Sequence, residues 1–127
     1  MIAAKRAGKA TPGFRIKRAY ESAAKDDGLR VLVDRLWPRG VTKEKARIDQ
    51  WLKDVAPSDA LRKRFHGNPE MWAEFVAAYD RELAREPASE AVANLRALAR
   101  KQAVTLVYAA RDETHNNAVA LKKLLER

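Results

Sequence analysis

The sequence segment most informative about the fold is AVTLVYAA, residues 103–110. It is apolar, contains three β-branched residues and has the length of a strand, which predicts a strand buried on both faces of a sheet. The polar connection RDETHNN, residues 111–117, follows directly, and the apolar residues of 118–125 then recur with the period of a helix. A buried strand that runs into a helix is typical of an α/β domain.

A second apolar run, VLV at 31–33, predicts another interior strand within residues 29–36. It ends in DRLWPRG, where Pro38 disfavours continuation as a central strand and Gly40 permits a turn. A weaker alternation over residues 14–20 predicts a third strand.

The apolar residues between 42 and 101 recur with the period of helices. Thr42, Ser58 and Asn68 are predicted N-caps of three helices, and a fourth follows Pro87. Because parallel strands need long crossover connections, residues 42–101 can join the two interior strands. The first of these helices is predicted from an apolar face at i, i+3, i+4 and i+7, formed by Ile48, Trp51, Leu52 and Val55.

With 127 residues, of which 46% are hydrophobic, the chain is expected to form one core. The fold class we predict is α/β, as a single small domain over residues 14–127 with a short, mostly parallel sheet flanked by helices. No run is long and apolar enough to span a membrane, none resembles a signal peptide and there is no cysteine. These features predict a cytoplasmic protein without a membrane partner.

The formal net charge of +9 is concentrated at the N-terminus. Residues 1–18 hold six basic and no acidic side chains, whereas the other 109 residues hold 20 basic and 17 acidic ones. We predict that residues 1–13 are a flexible basic tail, and a tail of this kind can bind phosphate groups nonspecifically.

Charged residues follow both interior strands. If these strands are parallel, Asp34, Arg35 and Arg39 meet Arg111, Asp112 and His115 at the carboxyl edge of the sheet, where open α/β sheets bind ligands. Thr114 is a candidate cap of the last helix, which leaves the following backbone N–H groups available to an anion.

The leading hypothesis is an anion-binding pocket at this edge, with a small phosphorylated or nucleotide-like ligand and either binding or catalysis as its function. Carboxylates are candidate bases or nucleophiles, and histidine is the side chain best suited to proton transfer near neutral pH. Guanidinium groups bind phosphate as a fork, and an indole offers a flat face. The candidate catalytic residues are Asp34, Asp112 and His115, and the candidate ligand-binding residues are Arg35, Trp37, Arg39, Arg111 and Asn116.

Four stretches carry a resemblance: VLVDRLWPRGVTKEKA, WLKDVAPS, LRKRFHGNPEMWAEF and VTLVYAARDETHNNAVALKKLL. Together they resemble the YeaO-like branch of a bacterial family of domains of unknown function, over residues 16–125. The resemblance implies a small bacterial α/β domain and brings no established substrate, reaction or cofactor.

Three other interpretations remain open. The charges at the strand ends, Asp34, Arg35, Arg111 and Asp112, are equally consistent with a structural ion-pair network. The chain is also consistent with a nucleic-acid-binding module that uses the tail with Arg15, Lys17 and Arg18, and stacks bases on Tyr20 or Trp37. The third is a partner-binding domain without chemistry. Common nucleotide, hydrolase and metalloprotease motifs are absent, no metal site is predicted, and the sequence leaves the oligomeric state open.

Overall fold

The computed structural model describes residues 11–127, which form a four-stranded sheet and five α-helices. The sheet order is β1-β4-β2-β3 and every pairing is parallel. The predicted single α/β domain is therefore confirmed. The strands are β1 (Gly13–Arg18), β2 (Leu29–Leu32), β3 (Gln50–Trp51) and β4 (Ala103–Tyr108), and the helices are α1 (Lys43–Ala46), α2 (Asp59–Phe65), α3 (Trp72–Leu83), α4 (Ala88–Lys101) and α5 (Asn117–Leu125).

The first ten residues of the predicted basic tail lie outside the described residues, and β1 begins at Gly13. None of the helices within residues 11–127 is long and apolar enough to cross a membrane.

The four longer helices contribute to a core on one face of the sheet. Alternate residues of β2 and β4, including Val31 and Leu106, are completely buried there. Tyr79 of α3 is also completely buried, and its hydroxyl donates to the Val55 carbonyl. Phe14 and Ile16 of β1 pack against the same core. This face supplies most of the apolar burial that stabilises the domain.

The opposite face of the sheet carries a buried polar network that the sequence did not indicate. Asp27 is 4% exposed and accepts hydrogen bonds from Lys17 Nζ at 2.9 Å and from Arg30 Nη1 at 2.6 Å. Its backbone carbonyl accepts from Thr105 Oγ1 at 2.6 Å. Burial raises the pKa of Asp27, but the hydrogen bonds from Lys17, Ala24 and Arg30 outweigh it and hold that pKa below its ordinary value. The network joins β1 and β2 through charged side chains, and β4 through the Thr105 hydroxyl.

The long helix predicted from Thr42 through Val55 is wrong. Thr42 does cap a helix, and its Oγ1 accepts from Lys45 N at 3.2 Å, but α1 ends after one turn. Arg30 Nε donates a hydrogen bond to the Ala46 carbonyl oxygen at 3.0 Å. In a longer helix this oxygen would accept from a backbone N–H group instead.

The segment after α1 pairs with β2 instead of remaining helical. Asp49 N donates to the Arg30 carbonyl and Leu52 N to the Leu32 carbonyl, both at 2.9 Å, so that β3 forms at the sheet edge. The apolar residues of the predicted helix therefore serve different surfaces. Ile48 packs on the cluster containing Leu32, whereas Val55 joins the main core.

The other predicted helices are confirmed, with one difference at a helix start. Ser58 caps α2 by accepting from Leu61 N at 3.1 Å, and α4 follows Pro87. The helix predicted from Asn68 opens with a 3-10 turn, Pro69–Met71, and becomes α-helical at Trp72. As predicted, β2 and β4 are parallel. They are also neighbours in the sheet, and their connection contains the edge strand β3.

Candidate functional site

Asp34 forms a junction between the ends of β2 and β4 and the start of α5. Its Oδ2 accepts from Ala109 N at 2.9 Å, and its Oδ1 accepts from Asn117 Nδ2 at 3.0 Å. The Asn117 amide also donates to the Val33 carbonyl at 3.1 Å. The two strand ends therefore meet as the sequence predicted, but neutral groups rather than arginines hold Asp34.

The environment of Asp34 disfavours its charged form. Burial raises the pKa of this carboxyl group, and the opposing hydrogen bonds from Asn117 and Ala109 and the positive charge of Arg62 do not compensate. A carboxyl group with a raised pKa at a strand end is a feature that functional sites share with structural junctions.

Asp112 closes the turn that follows β4. Its Oδ1 accepts from Thr114 N at 2.9 Å, from Thr114 Oγ1 at 3.0 Å and from His115 N at 2.9 Å. The backbone N–H groups of Thr114 and His115 lower the pKa of Asp112. This arrangement is a local turn in which an aspartate side chain satisfies the backbone that follows it.

The predicted cap of the last helix is wrong. Asn116, rather than Thr114, caps α5, because its Oδ1 accepts from Val119 N at 2.9 Å. Its Nδ2 donates to the Asp112 carbonyl at 2.8 Å, and the residue is 5% exposed. The sequence predicted that the N–H group of His115 is available to an anion. In the structure this group donates to Asp112 and is not available. Asn116 itself holds the helix start.

His115 lies at the surface, between Asp112 and α3. Its Nδ1 is 3.5 Å from Asp112 Oδ2 and 2.9 Å from Thr114 Oγ1. The ring contacts Trp72 nearly edge-on, with centroids 5.1 Å apart. Asp112 and His115 are therefore an exposed pair, and Nδ1 shares its hydrogen bond with the Thr114 hydroxyl.

Arg35 points away from the second strand end. Its Nη2 donates to the carbonyls of Ala56 and Pro57, both at 3.4 Å, and its Nε is 4.0 Å from Asp59 Oδ1. These contacts direct the side chain towards the start of α2, so Arg35 does not join Arg111 and Asp112. The ion-pair network considered for Asp34, Arg35, Arg111 and Asp112 is absent, because no two of these four residues form a salt bridge within residues 11–127.

Arg39 and Arg111 are exposed at this edge. Neither guanidinium makes a hydrogen bond or a salt bridge in the part of the chain that the structure describes. The backbone carbonyl of Arg39 accepts from the Tyr20 hydroxyl at 2.9 Å, which connects the loop after β2 to the end of β1.

Trp37 and Trp51 form an aromatic pair beside Asp34. The Trp37 indole donates to the Val41 carbonyl at 2.7 Å, and its ring meets that of Trp51 edge-to-face at 5.6 Å between centroids. The Trp51 indole donates to the Asp34 backbone carbonyl at 2.8 Å. Trp51 was not among the predicted site residues, because helical spacing places it on the buried face of a helix. Only pairing between β2 and β3 reveals it.

The cations considered for nucleic-acid binding are engaged within the protein. Arg15 Nη1 donates to the Asp26 carbonyl at 2.7 Å, and Lys17 bonds to the buried Asp27. Arg18 donates to the carbonyls of Ala109 and Ala110 at the end of β4. Within residues 11–127, these three side chains stabilise the fold rather than form a free basic track.

Two cavities lie away from the candidate site. One of about 160 Å³ lies between β3 and α4, and the other, of about 200 Å³, lies among α3, α4 and α5. Neither is lined by any of the eight candidate residues. The described residues also contain no group of three or more histidine, cysteine or acidic side chains placed to hold a metal ion.

Comparison with known proteins identifies the family of this chain. The family described as the inactive DUF488-N3 subclade matches residues 13–127. The chain belongs to this family. An uncharacterised protein of Mycobacterium tuberculosis is 45% identical over 111 residues, which cover 87% of this chain and 92% of the relative.

A second relative of the DUF488-N3 chain confirms the predicted resemblance. The uncharacterised protein YeaO of Escherichia coli is 44% identical over 105 residues, which cover 83% of this chain and 90% of YeaO. No solved structure matches the chain.

Proposed function

We propose that this DUF488-N3 domain binds a small anionic ligand, phosphorylated or nucleotide-like, at the carboxyl edge of its sheet. The main support is a difference in hydrogen bonding between Arg39 and Arg111 and the polar residues around them. Asp34, Asp112 and Asn116 are satisfied by hydrogen bonds of the fold, whereas Arg39 and Arg111 lie exposed and make no polar side-chain contact within residues 11–127. Exposed guanidinium groups on the segments that follow two strand ends are suited to phosphate oxygens.

The ordered base beneath these arginines supports binding. Asp34 connects β2, β4 and α5, and the Tyr20 hydroxyl fixes the Arg39 backbone. Affinity is greater when the ligand does not have to order the backbone that carries its contacts. Arg39 and Arg111 lie on the segments that follow β2 and β4, and these segments are already connected by the hydrogen bonds of Asp34.

We further propose that binding occurs without turnover. Both carboxylates that were candidate bases are used by the fold: Asp34 joins the strand ends and Asp112 forms the turn. The description of the subclade as inactive supports the same conclusion. The enzymatic alternative rests on one observation, the 3.5 Å approach of Asp112 to His115, which in that case orients the imidazole for proton transfer.

Calorimetric titration at low salt with pyrophosphate and with ribose 5-phosphate tests the binding proposal. Arg111→Ala and Arg39→Ala are each expected to weaken binding about tenfold, because each removes a charge-assisted contact. Arg100→Ala is the matched control, since Arg100 is exposed near the end of α4, at the opposite edge of the sheet, and is expected to have no effect. Binding by the two edge variants equal to wild type, with all proteins folded, would refute the assignment.

Phosphorus NMR of the same mixtures separates binding from catalysis. The proposal predicts that each ligand keeps its spectrum after prolonged incubation with the protein. Conversion of a ligand that is lost in His115→Ala but retained in Arg100→Ala would contradict binding without turnover and establish the enzymatic alternative.

A further inference from the structure

The large apolar side chains that remain exposed all lie along the carboxyl edge of the sheet, where the strands end. In residues 11–127 these are Tyr20, Leu36 and Trp51, which are 48%, 65% and 37% exposed. Tyr20 follows β1, Leu36 follows β2 and Trp51 ends β3, so each one stands at the carboxyl end of a strand. Single exposed apolar residues are ordinary, but their concentration at a candidate site is typical of a ligand-binding surface.

Trp51 is held in a fixed position although its ring is partly exposed. The indole nitrogen is bonded to the Asp34 carbonyl at 2.8 Å, and the ring meets that of Trp37. A ring that is already oriented loses little conformational freedom when a planar ligand stacks on it.

Cations lie over the exposed rings. Lys53 Nζ is 4.1 Å from the centre of the Trp51 ring, and the Arg18 guanidinium is 4.9 Å from that of Tyr20. A cation over an aromatic ring at the surface contributes about two- to fivefold to an equilibrium constant. Stacking of a nucleobase contributes about 5- to 150-fold, so a base can displace Lys53 from the ring. The displaced ammonium group then remains beside an anionic ligand.

We infer that Trp51 is the stacking platform for the base of a nucleoside phosphate whose phosphate group binds the arginines of the same edge. This inference rests on the proposed function and specifies its ligand. Trp37 links the two parts, because it contacts Trp51 and lies two residues before Arg39, so the Cα atoms of Trp37 and Arg39 are within about 7.6 Å of each other.

A mononucleotide fits this edge better than a nucleic-acid strand does. A strand needs a continuous series of free cations, but Arg15, Lys17 and Arg18 are bonded within the protein. The edge instead offers one ordered indole with a cation over it, and the exposed guanidinium group of Arg39 on the segment that carries Trp37. These groups match one base and one phosphate group.

The test compares adenosine 5′-monophosphate with ribose 5-phosphate by calorimetry on the full chain at low salt. The two ligands share the sugar and the phosphate group, so the ratio of their affinities isolates the base. Wild type is expected to bind the nucleotide at least about fivefold more tightly. Trp51→Ala is expected to bind both ligands with the affinity of wild type for ribose 5-phosphate, whereas Trp51→Phe keeps the preference because it keeps a ring.

The possible outcomes distinguish the inference from the proposed function. Equal affinities in wild type, or a preference that survives in Trp51→Ala, would overturn the platform while leaving phosphate binding intact. Failure of wild type to bind either ligand would overturn both proposals. If Trp51→Ala does not fold, the comparison of Trp51→Phe with Trp51→Leu decides, because only the phenylalanine variant is expected to retain the preference.

Discussion

Replacement of Asp34 by alanine is expected to lower the free energy of unfolding by about 1.5–4 kcal/mol. The carboxylate accepts from Ala109 N at 2.9 Å and from Asn117 Nδ2 at 3.0 Å. Ala109 N, which is partly buried, loses its acceptor, and an unpaired donor costs up to about 1–3 kcal/mol. Asn117 keeps its bond to the Val33 carbonyl, so its share of the loss is smaller, about 0.5–1 kcal/mol.

The loss in Asp34→Ala is expected to depend on pH. Burial raises the pKa of Asp34 above its ordinary value of 3.8, so in the interval between the two values the folded protein holds a proton that the unfolded chain has released. The stability contributed by this group is complete below the ordinary pKa and falls as pH rises through the raised pKa. Since alanine does not titrate, the difference between wild type and Asp34→Ala is largest in acid.

Urea unfolding followed by circular dichroism, between pH 4.5 and 8, measures this difference. Asp26→Ala is the control, because Asp26 is exposed and its side chain makes no hydrogen bond within residues 11–127. It is expected to change the free energy of unfolding by less than about 0.5 kcal/mol. A loss in Asp34→Ala no larger than that of the control, or a loss that grows as pH rises, would refute the role assigned to this carboxyl group.

Two further predictions concern the fold beneath the site, and both are measured by the same unfolding assay. Asp27→Ala is expected to cost about 3–5 kcal/mol, because Arg30 is 3% exposed and loses the carboxylate that pairs with it; a loss below about 1 kcal/mol would contradict this. Gly28→Ala is expected to destabilise more than Gly40→Ala. Both glycines have positive φ, at 67° and 79°, but only at Gly28 would a Cβ lie 2.2 Å from the Ala103 carbonyl oxygen. Equal losses in the two glycine variants would show that this close contact relaxes without cost.

The parts of the fold that follow from local pattern are predictable from the sequence. The apolar runs that became β2 and β4 have strand length and end in polar residues, and α3 and α4 carry apolar stripes with helical spacing. These elements bury apolar surface in the core, so the pattern and the tertiary structure agree.

The segment after Thr42 shows where local pattern fails. Its apolar residues have helical spacing. However, Arg30 donates a hydrogen bond to the Ala46 carbonyl, and the backbone after Ala46 pairs with β2. Both contacts join residues at least 16 positions apart. The period of the sequence contains no information about them, and Trp51 was therefore assigned to the core instead of the surface.

The sequence predicts where in the fold the candidate residues lie, but it does not predict which groups they contact. Parallel strands bring Asp34 close to the segment after β4, as expected, but its partners are a backbone N–H group and the Asn117 amide. Thr114 and Asn116 are both good capping residues, but Asp112 accepts from the backbone N–H groups of Thr114 and His115 and forms a turn there, so that Asn116 becomes the cap. Residue type alone does not reveal this competition.

Two-dimensional amide NMR can show whether an anion binds at the carboxyl edge of the sheet. On titration with inorganic phosphate at low salt, the largest chemical-shift changes are expected at residues 34–39 and 109–117, which follow β2 and β4. Arg39→Ala and Arg111→Ala are expected to reduce these changes, whereas Arg100→Ala leaves them unchanged. Shift changes confined to another surface, or none at high phosphate concentration, would contradict an anion-binding function for this edge.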